Sequence, residues 1–359
     1  MMQNNQAIPF NKENFKLIFS KEFALVIIIS IPSAIVAEFF NIPLAWFLGP
    51  MLITSLASLM GLKTKMPKLV LSLTLILLGL YIGNYIDKSL FSQIHQWAFT
   101  SMIMLVYIIV SVLIVSRYLQ IFSKYDKKTS IFSAAPGALG PLMILAEDEK
   151  SDLSQVATSH LIRLIIIITI FPFIVNSFYD VENIKIAEEI INDQNILHLI
   201  LLIISSVFLI IIFDKFKIPA ALLSGTLFAS GFLQISEIAS YQLPPNIIDF
   251  CLLILGASVG CRFANKTFSE IARNALHSFV ATFLLVALGL IAAFAASLII
   301  DKNFFTLLLS YCPGGIYEVA VIAIFFDLDP EFVSFHHIIR LLMILFIVPV
   351  ILRLMQKKT

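Results

Sequence analysis

SAAPGALGPLMILAEDEKSDLSQVATSHLIRLIIIITIFP at residues 133–172 lies without a gap on SYCPGGIYEVAVIAIFFDLDPEFVSFHHIIRLLMILFIVP at residues 310–349 when the chain is slid along itself by 177 positions. Pro136 then meets Pro313, Gly137 meets Gly314, Asp152 meets Asp329, His160 meets His337, Arg163 meets Arg340 and Pro172 meets Pro349. Upstream, the same offset brings Gly79 and Gly83 onto Gly256 and Gly260, and an offset of 176 brings Glu38 and Ile42-Pro43 onto Asp214 and Ile218-Pro219. Self-similarity at one period over this much of a chain is the mark of an internal duplication.

The composition says where such a duplicate can live. Of 359 residues, 59% are hydrophobic and 13% charged, against about half and about a quarter in a soluble domain; the mean hydropathy is +0.97. Apolar segments of near-spanning length recur six to a half: 23–40, 42–62, 68–86, 95–117, 131–146 and 153–176, then 197–213, 218–236, 246–263, 277–300, 306–326 and 331–354. The polar stretches 1–22 and 177–196 are too short to fold alone, and the first runs straight into an apolar segment, as a retained helix does rather than a cleaved signal. A net charge of +1 offers no basic face to nucleic acid. Cys251, Cys261 and Cys312 have no pairing or metal spacing and read as small core residues.

The fifth segment of each half carries Pro-Gly and is short for a crossing. If it enters and leaves by one face, with the N-terminus inside, 19 lysines and arginines fall inside and three outside, with Arg163 and Arg340 left in the membrane. If it crosses, the division is 15 to seven. Positive charge stays cytoplasmic, so the first arrangement is expected. Five crossings is an odd number, and the second copy therefore inserts upside down. The fold class expected is an all-α polytopic membrane protein of two inverted repeats, each of about five transmembrane helices plus one re-entrant Pro-Gly hairpin, an architecture of secondary transporters. Its parts are a cytoplasmic segment 1–22, repeats 23–176 and 197–359, and an acidic external linker 177–196 (Asp180, Glu182, Glu188, Glu189, Asp193). The setting expected is the bacterial cytoplasmic (inner) membrane, with both termini cytoplasmic.

Asp329-Pro330-Glu331, and Ser151-Asp152 with Gln155, read as helix starts with Asp329 and Asp152 as caps. Counted from there at about 1.5 Å per residue, His160 and His337 lie about 12 Å along their helices and Arg163 and Arg340 about 16 Å, near mid-membrane. Residues three apart share a helix face, and an arginine facing lipid at that depth costs at least about 3 kcal/mol, so the face turns inward. Two uses stay open: a structural one, in an ion pair or on exposed carbonyls of the broken fifth segment, and a solute-binding one. In the second, Pro136, Gly137, Pro313, Gly314 and Gly315 start short helices whose amide ends join Arg163, Arg340, His160 and His337 in holding an anion or carboxylate. That carboxylate can be the chain's own Glu318, whereas Glu38 and Asp214 read as interfacial. Glu318 has Pro141 as its counterpart, and Gly315 has Ala138. The copies are therefore unequal, and Arg340→Ala is expected to harm function more than Arg163→Ala. Gly79, Gly83, Gly256 and Gly260 have the small-xxx-small spacing of close helix packing.

The paired Pro-Gly turns, acidic caps, His-x-x-Arg and later prolines resemble the membrane AbrB family, defined by the AbrB duplication, over nearly the whole chain. APGALGPLMILAEDEKSDLSQVATSHLIRL, CPGGIYEVAVIAIFFDLDPEFVSFHHIIRL and ILGASVGCRF carry the resemblance, from which Ala138 and Pro141 depart. The resemblance implies names rather than a mechanism: ammonia monooxygenase, transcriptional regulator and regulation of gene expression. An oxygenase needs clustered ligands, and the six histidines (His95, His160, His198, His277, His336, His337) hold no pair at i, i+3 or i+4. No enzyme, metal or cofactor is expected. The leading expectation is a transporter-like protein binding a small, in one reading anionic, solute at the repeat interface; a membrane sensor acting indirectly on gene expression is the alternative. Its partners are the lipid bilayer, that solute and, in a homo-oligomer, further copies of itself, with no direct nucleic acid.

Overall fold

The computed structural model describes residues 12–86, 89–137, 139–178, 196–264 and 266–356. The charged residues of the expected linker and the first half of the expected N-terminal segment lie outside the described residues. Every described element is a helix. After α1 (Lys12–Ile18), the first copy supplies α2 (Lys21–Phe39), α3 (Ala45–Leu59), α4 (Lys68–Gly83), α5 (Ser89–Phe122), α6 (Lys127–Ala134), α7 (Leu139–Asp148) and α8 (Leu153–Phe178). The second supplies α9 (Ile196–Lys215), α10 (Ala221–Ile235), α11 (Pro245–Cys261), α12 (Phe268–Ser297), α13 (Phe304–Tyr311), α14 (Ile316–Phe325) and α15 (Pro330–Gln356). The offset of 176 carries α3 onto α10 residue for residue, and 177 does the same for α6 onto α13 and α7 onto α14. The duplication extends to the backbone: positive φ at Asn41, Leu44 and Lys150 recurs at Lys217, Ala220 and Asp327.

Six helices, α2, α5, α8, α9, α12 and α15, contain stretches long and apolar enough to cross a membrane. Large apolar side chains such as Phe39, Phe208, Phe283 and Phe346 point outward, while Arg163, Arg340, Glu318 and three histidines are buried. That inverted polarity fits a bilayer as solvent. Buried hydroxyls turn back onto their own helices, as Ser55 does on the Met51 carbonyl and Thr282 on that of Ser278 (2.6 and 2.7 Å), which satisfies them where no water can.

The segments 42–62, 68–86, 218–236 and 246–263 are shorter as helices than as apolar runs. They hold 15, 16, 15 and 17 helical residues, roughly 22 to 26 Å against a hydrocarbon core of about 30 Å. The cause in α3 and α10 is local. Pro43 and Pro219 each precede a left-handed residue, Leu44 at φ 53° and Ala220 at φ 55°, and the helix can begin only beyond that turn. In the other direction, α5 and α12 begin before the expected 95 and 277.

The chain divides into two compact units, and each takes matching elements from both copies. The first comprises α1 to α4 and α9 to α11. Here α4 packs on α10 and α11 on α3, so the third helix of each copy lies on the second helix of the other. The four glycines make this approach possible. A Cβ at Gly79 would stand 2.7 Å from the Leu223 carbonyl and one at Gly260 2.6 Å from the Thr54 Cβ, while at Gly83 and Gly256 it would run into Ser230 and the Phe47 carbonyl.

The second unit is built from α5 to α8, α12, α13, most of α14, and α15. The equivalent helices α5 and α12 pair antiparallel: the Tyr107 hydroxyl donates to the Leu285 carbonyl (3.4 Å), and farther along α5 the Tyr118 hydroxyl meets His277 Nδ1 (3.3 Å), farther back on α12. Each fifth segment is two short helices. Their break follows from proline, which forces the preceding residue out of helical conformation: Ala135 and Cys312, before Pro136 and Pro313, sit at ψ 126° and 130°. In the first copy the start of α6 and the end of α7 are held together, with Lys128 Nζ 2.8 Å from a Glu149 carboxylate oxygen and donating to its carbonyl at 2.9 Å. The segment folds back on itself.

Candidate functional site

His160 and Arg163 share one face of α8, and α6 lies along that face. Thr129 Oγ1 accepts the Asp152 amide at 2.9 Å, His160 Nε2 donates to the Phe132 carbonyl at 3.0 Å, and Arg163 Nη1 donates to the Ala135 carbonyl at 2.7 Å. Arg163 Nη2 donates to the Ser133 carbonyl. The second copy repeats the His Nε2 and Arg Nη1 bonds 177 positions on, while its Nη2 bond goes to Gly314 rather than to the equivalent Ser310. His337 Nε2 donates to Leu309 O at 2.9 Å, Arg340 Nη1 to Cys312 O, and Nη2 to Gly314 O at 2.6 Å. A carbonyl can only accept, so both histidines carry their proton on Nε2. His337 Nδ1 is then free to accept from Arg340 Nη2 at 3.0 Å.

These bonds give each arginine a local purpose. A helix ends with four carbonyls that lack intrahelical partners, and its C-terminus carries a partial negative charge. Arg163 donates to such groups at the end of α6, and Arg340 to that of Cys312 at the end of α13 and to Gly314 in the break beyond it, so the carbonyl-binding alternative is present in both copies. The Nε–H of each guanidinium, buried to within 2% of full burial, has no hydrogen-bond partner among the described residues.

The two breaks meet the opposite copy reciprocally. A Cβ on Gly137 would run into Ile344, one turn beyond Arg340, and a Cβ on Gly314 would stand 3.5 Å from Ile167, one turn beyond Arg163. The arginines are close enough to act on one another electrostatically, and Tyr107 of α5 lies within range of both. Tyr107 also stacks edge-on against Tyr311 (6.2 Å), whose hydroxyl donates to the Thr100 carbonyl at 2.7 Å. The buried Ser111, one turn beyond Tyr107, sets its hydroxyl beside that of Tyr107.

The copies differ where the sequence says they do. Glu318 lies in the first turn of α14, and its carboxylate folds over Gly315 so closely that a Cβ there would collide with it. Pro141 stands in that place in α7. The capping aspartates differ as well. Asp152 Oδ1 accepts the Gln155 amide at 3.0 Å, the geometry of an N-cap. The Asp329 carboxylate instead accepts from Lys302 Nζ (3.0 Å) and Thr306 Oγ1 (3.2 Å), tying α15 to the start of α13. Glu38 is exposed in the last turn of α2, and Asp214 is half-buried near the end of α9.

Tyr107, Ser111 and Tyr311 escaped the sequence reading because the duplication marks none of them: their counterparts at offset 177 are Leu284, Leu288 and Ala134. The same holds for His336, which bridges Thr100 Oγ1 (2.7 Å) and the Phe332 carbonyl (2.9 Å).

Helices of this length and polarity, duplicated and broken at matched prolines around buried arginines, define a polytopic α-helical membrane protein with an internal repeat. The family profile described as "Transition state regulatory protein AbrB" matches residues 2–90 and 46–356, and the chain belongs to this AbrB family. Among its relatives, "Uncharacterized protein YhjN" of Bacillus subtilis (strain 168) is 23% identical over 301 residues, 80% of this chain and 78% of the relative. "Putative regulator AbrB" of Escherichia coli (strain K12) is 22% identical over 322 residues, 87% of this chain and 90% of the relative. No solved structure matches the chain.

Proposed function

We propose that the protein is a secondary transporter of the cytoplasmic membrane, built from two inverted repeats with re-entrant hairpins, and that it binds a small solute where the two breaks meet. The observation that carries this reading is the reciprocal seating of Gly137 on Ile344 and Gly314 by Ile167, each break lying against the other copy's arginine-bearing helix. Inversion is supported by the antiparallel pairing of the equivalent helices α5 and α12. Re-entrance is supported by the Lys128–Glu149 clasp across the mouth of the first hairpin. With the hairpins re-entrant, the lysine and arginine distribution puts both termini in the cytoplasm. Broken helices opening at mid-membrane leave unpaired backbone groups, and such groups are tolerated only where protein or a polar cavity receives them.

In this reading Arg340, His337, Arg163 and His160 hold the hairpin tips, Pro136, Gly137, Pro313, Gly314 and Gly315 shape the breaks, and Glu318 makes the second break chemically distinct. No catalytic step, metal or cofactor is invoked. The test is uptake by proteoliposomes from a defined mixture of small metabolites, read by mass spectrometry. Accumulation of a solute above empty liposomes is the expected result; saturable binding with no flux for any solute would replace transport with sensing. Sensing is the second reading because one relative bears the name of a regulator.

A further inference from the structure

Among the described residues the buried charged side chains are Arg163, Arg340 and Glu318, apart from histidines whose bonds to carbonyls and to Arg340 suit the neutral ring. At each break the C-terminus of one short helix and the N-terminus of the next bring opposite half-charges together, so the four helix ends cancel in pairs. What remains is two positive charges and one negative. An unmatched charge kept from water is strongly unfavourable unless a partner neutralises it. The donors left over point the same way, since two buried guanidinium Nε–H groups have no partner among the described residues, and Tyr107 lies within range of both arginines.

Resting on the transporter reading above, we propose that the centre takes one solute at a time bearing a single carboxylate, received by the Nε–H groups of Arg163 and Arg340 beside Tyr107, with Glu318 limiting its charge to one. A carboxylate has two oxygens and so answers two N–H groups from two arginines, which a neutral amide or a cation cannot do with the same charge balance. Glu318 then acts as a charge selector: with it in place a dicarboxylate leaves an excess negative charge, and without it a dicarboxylate closes the balance.

Unfolding of the detergent-purified full chain, followed by fluorescence of Trp46 and Trp97, supplies the test. Propionate, propionamide, succinate and sodium chloride are compared at matched ionic strength. Propionate should raise the unfolding temperature saturably, and propionamide and chloride should not. Tyr107→Phe, which removes a hydroxyl that must turn from the Leu285 carbonyl to reach a solute, should weaken propionate about tenfold relative to the parent, each chain read against its own ligand-free unfolding temperature, the loss typical of one hydrogen bond to a charged group. Glu318→Gln should shift the preference from propionate towards succinate. An equal response to propionamide, a response to chloride alone, or no saturable response to any carboxylate overturns the proposal. The transporter reading fails separately: carboxylate binding without flux removes transport and keeps the anion site, and flux of neutral or cationic solutes does the reverse.

Discussion

Arg163 and Arg340 each close the end of a half-helix, and this local bond is what any substitution first disturbs. Removing Arg340 takes the donor from the Cys312 and Gly314 carbonyls, and removing Arg163 takes it from the Ser133 carbonyl while that of Ala135 keeps the Gly137 amide, at about 1 to 3 kcal/mol for each orphaned carbonyl. Arg340→Ala is therefore expected to cost roughly 2 to 6 kcal/mol of stability and Arg163→Ala roughly 1 to 3 kcal/mol, so both lower the unfolding temperature and Arg340→Ala lowers it further. A variant of either copy that unfolds like the parent would contradict these hydrogen bonds. Their effects on solute binding should still differ, because Glu318 stands beside only one of the breaks. How much of this could be read from residues alone depended on the residue. A charge inside an apolar run is conspicuous, so His-x-x-Arg was legible, and its recurrence made it more so. Its partners are backbone carbonyls, which every residue has and no sequence marks. Tyr107 was hidden because an aromatic in a membrane helix is ordinary and its counterpart is Leu284.

At the level of the element, the two broken fifth segments are tied differently at their ends. The Lys128–Glu149 pair is well exposed, whereas Lys302 is mostly shielded, pairs with Asp329 and lies 5.2 Å from the Phe332 ring centre. Exposed pairs contribute at most about 1 kcal/mol, so Lys128→Ala should barely move the unfolding temperature and Lys302→Ala should lower it clearly; the reverse order would contradict the packing described. The close helix crossings are less forgiving. Gly256→Leu has no room against the Phe47 carbonyl and should abolish folded, monodisperse protein, whereas Gly61→Ala, with nothing within 4 Å of its Cβ and a strained φ of 86°, should be tolerated at a cost of about 1 kcal/mol. The breaks themselves were legible, because proline ends a helix by sterics that need no tertiary context. The helix lengths were not: an apolar run continues unchanged through the left-handed turns at Leu44 and Ala220, where the helix does not.

Over the whole molecule, the repeat period announced the duplication but not its consequence. Sequence spacing says which elements correspond and is silent on which copy's helix packs on which. The interlacing of α4 with α10 and of α11 with α3, and the meeting of each break with the other copy's arginine helix, follow from close approaches that only coordinates reveal. The same meeting makes orientation decisive, since two breaks reach one centre from opposite membrane faces only if the copies are inverted. Lys150 and Asp327 are exposed and equivalent, 177 positions apart, at the left-handed turns that follow each hairpin. Single cysteines at these two sites, in a chain freed of Cys251, Cys261 and Cys312, can be labelled in intact cells and in inverted vesicles with a membrane-impermeant maleimide. Labelling of position 327 from outside and of position 150 only from the cytoplasmic side is the result expected; labelling of both from one side would contradict the inverted arrangement.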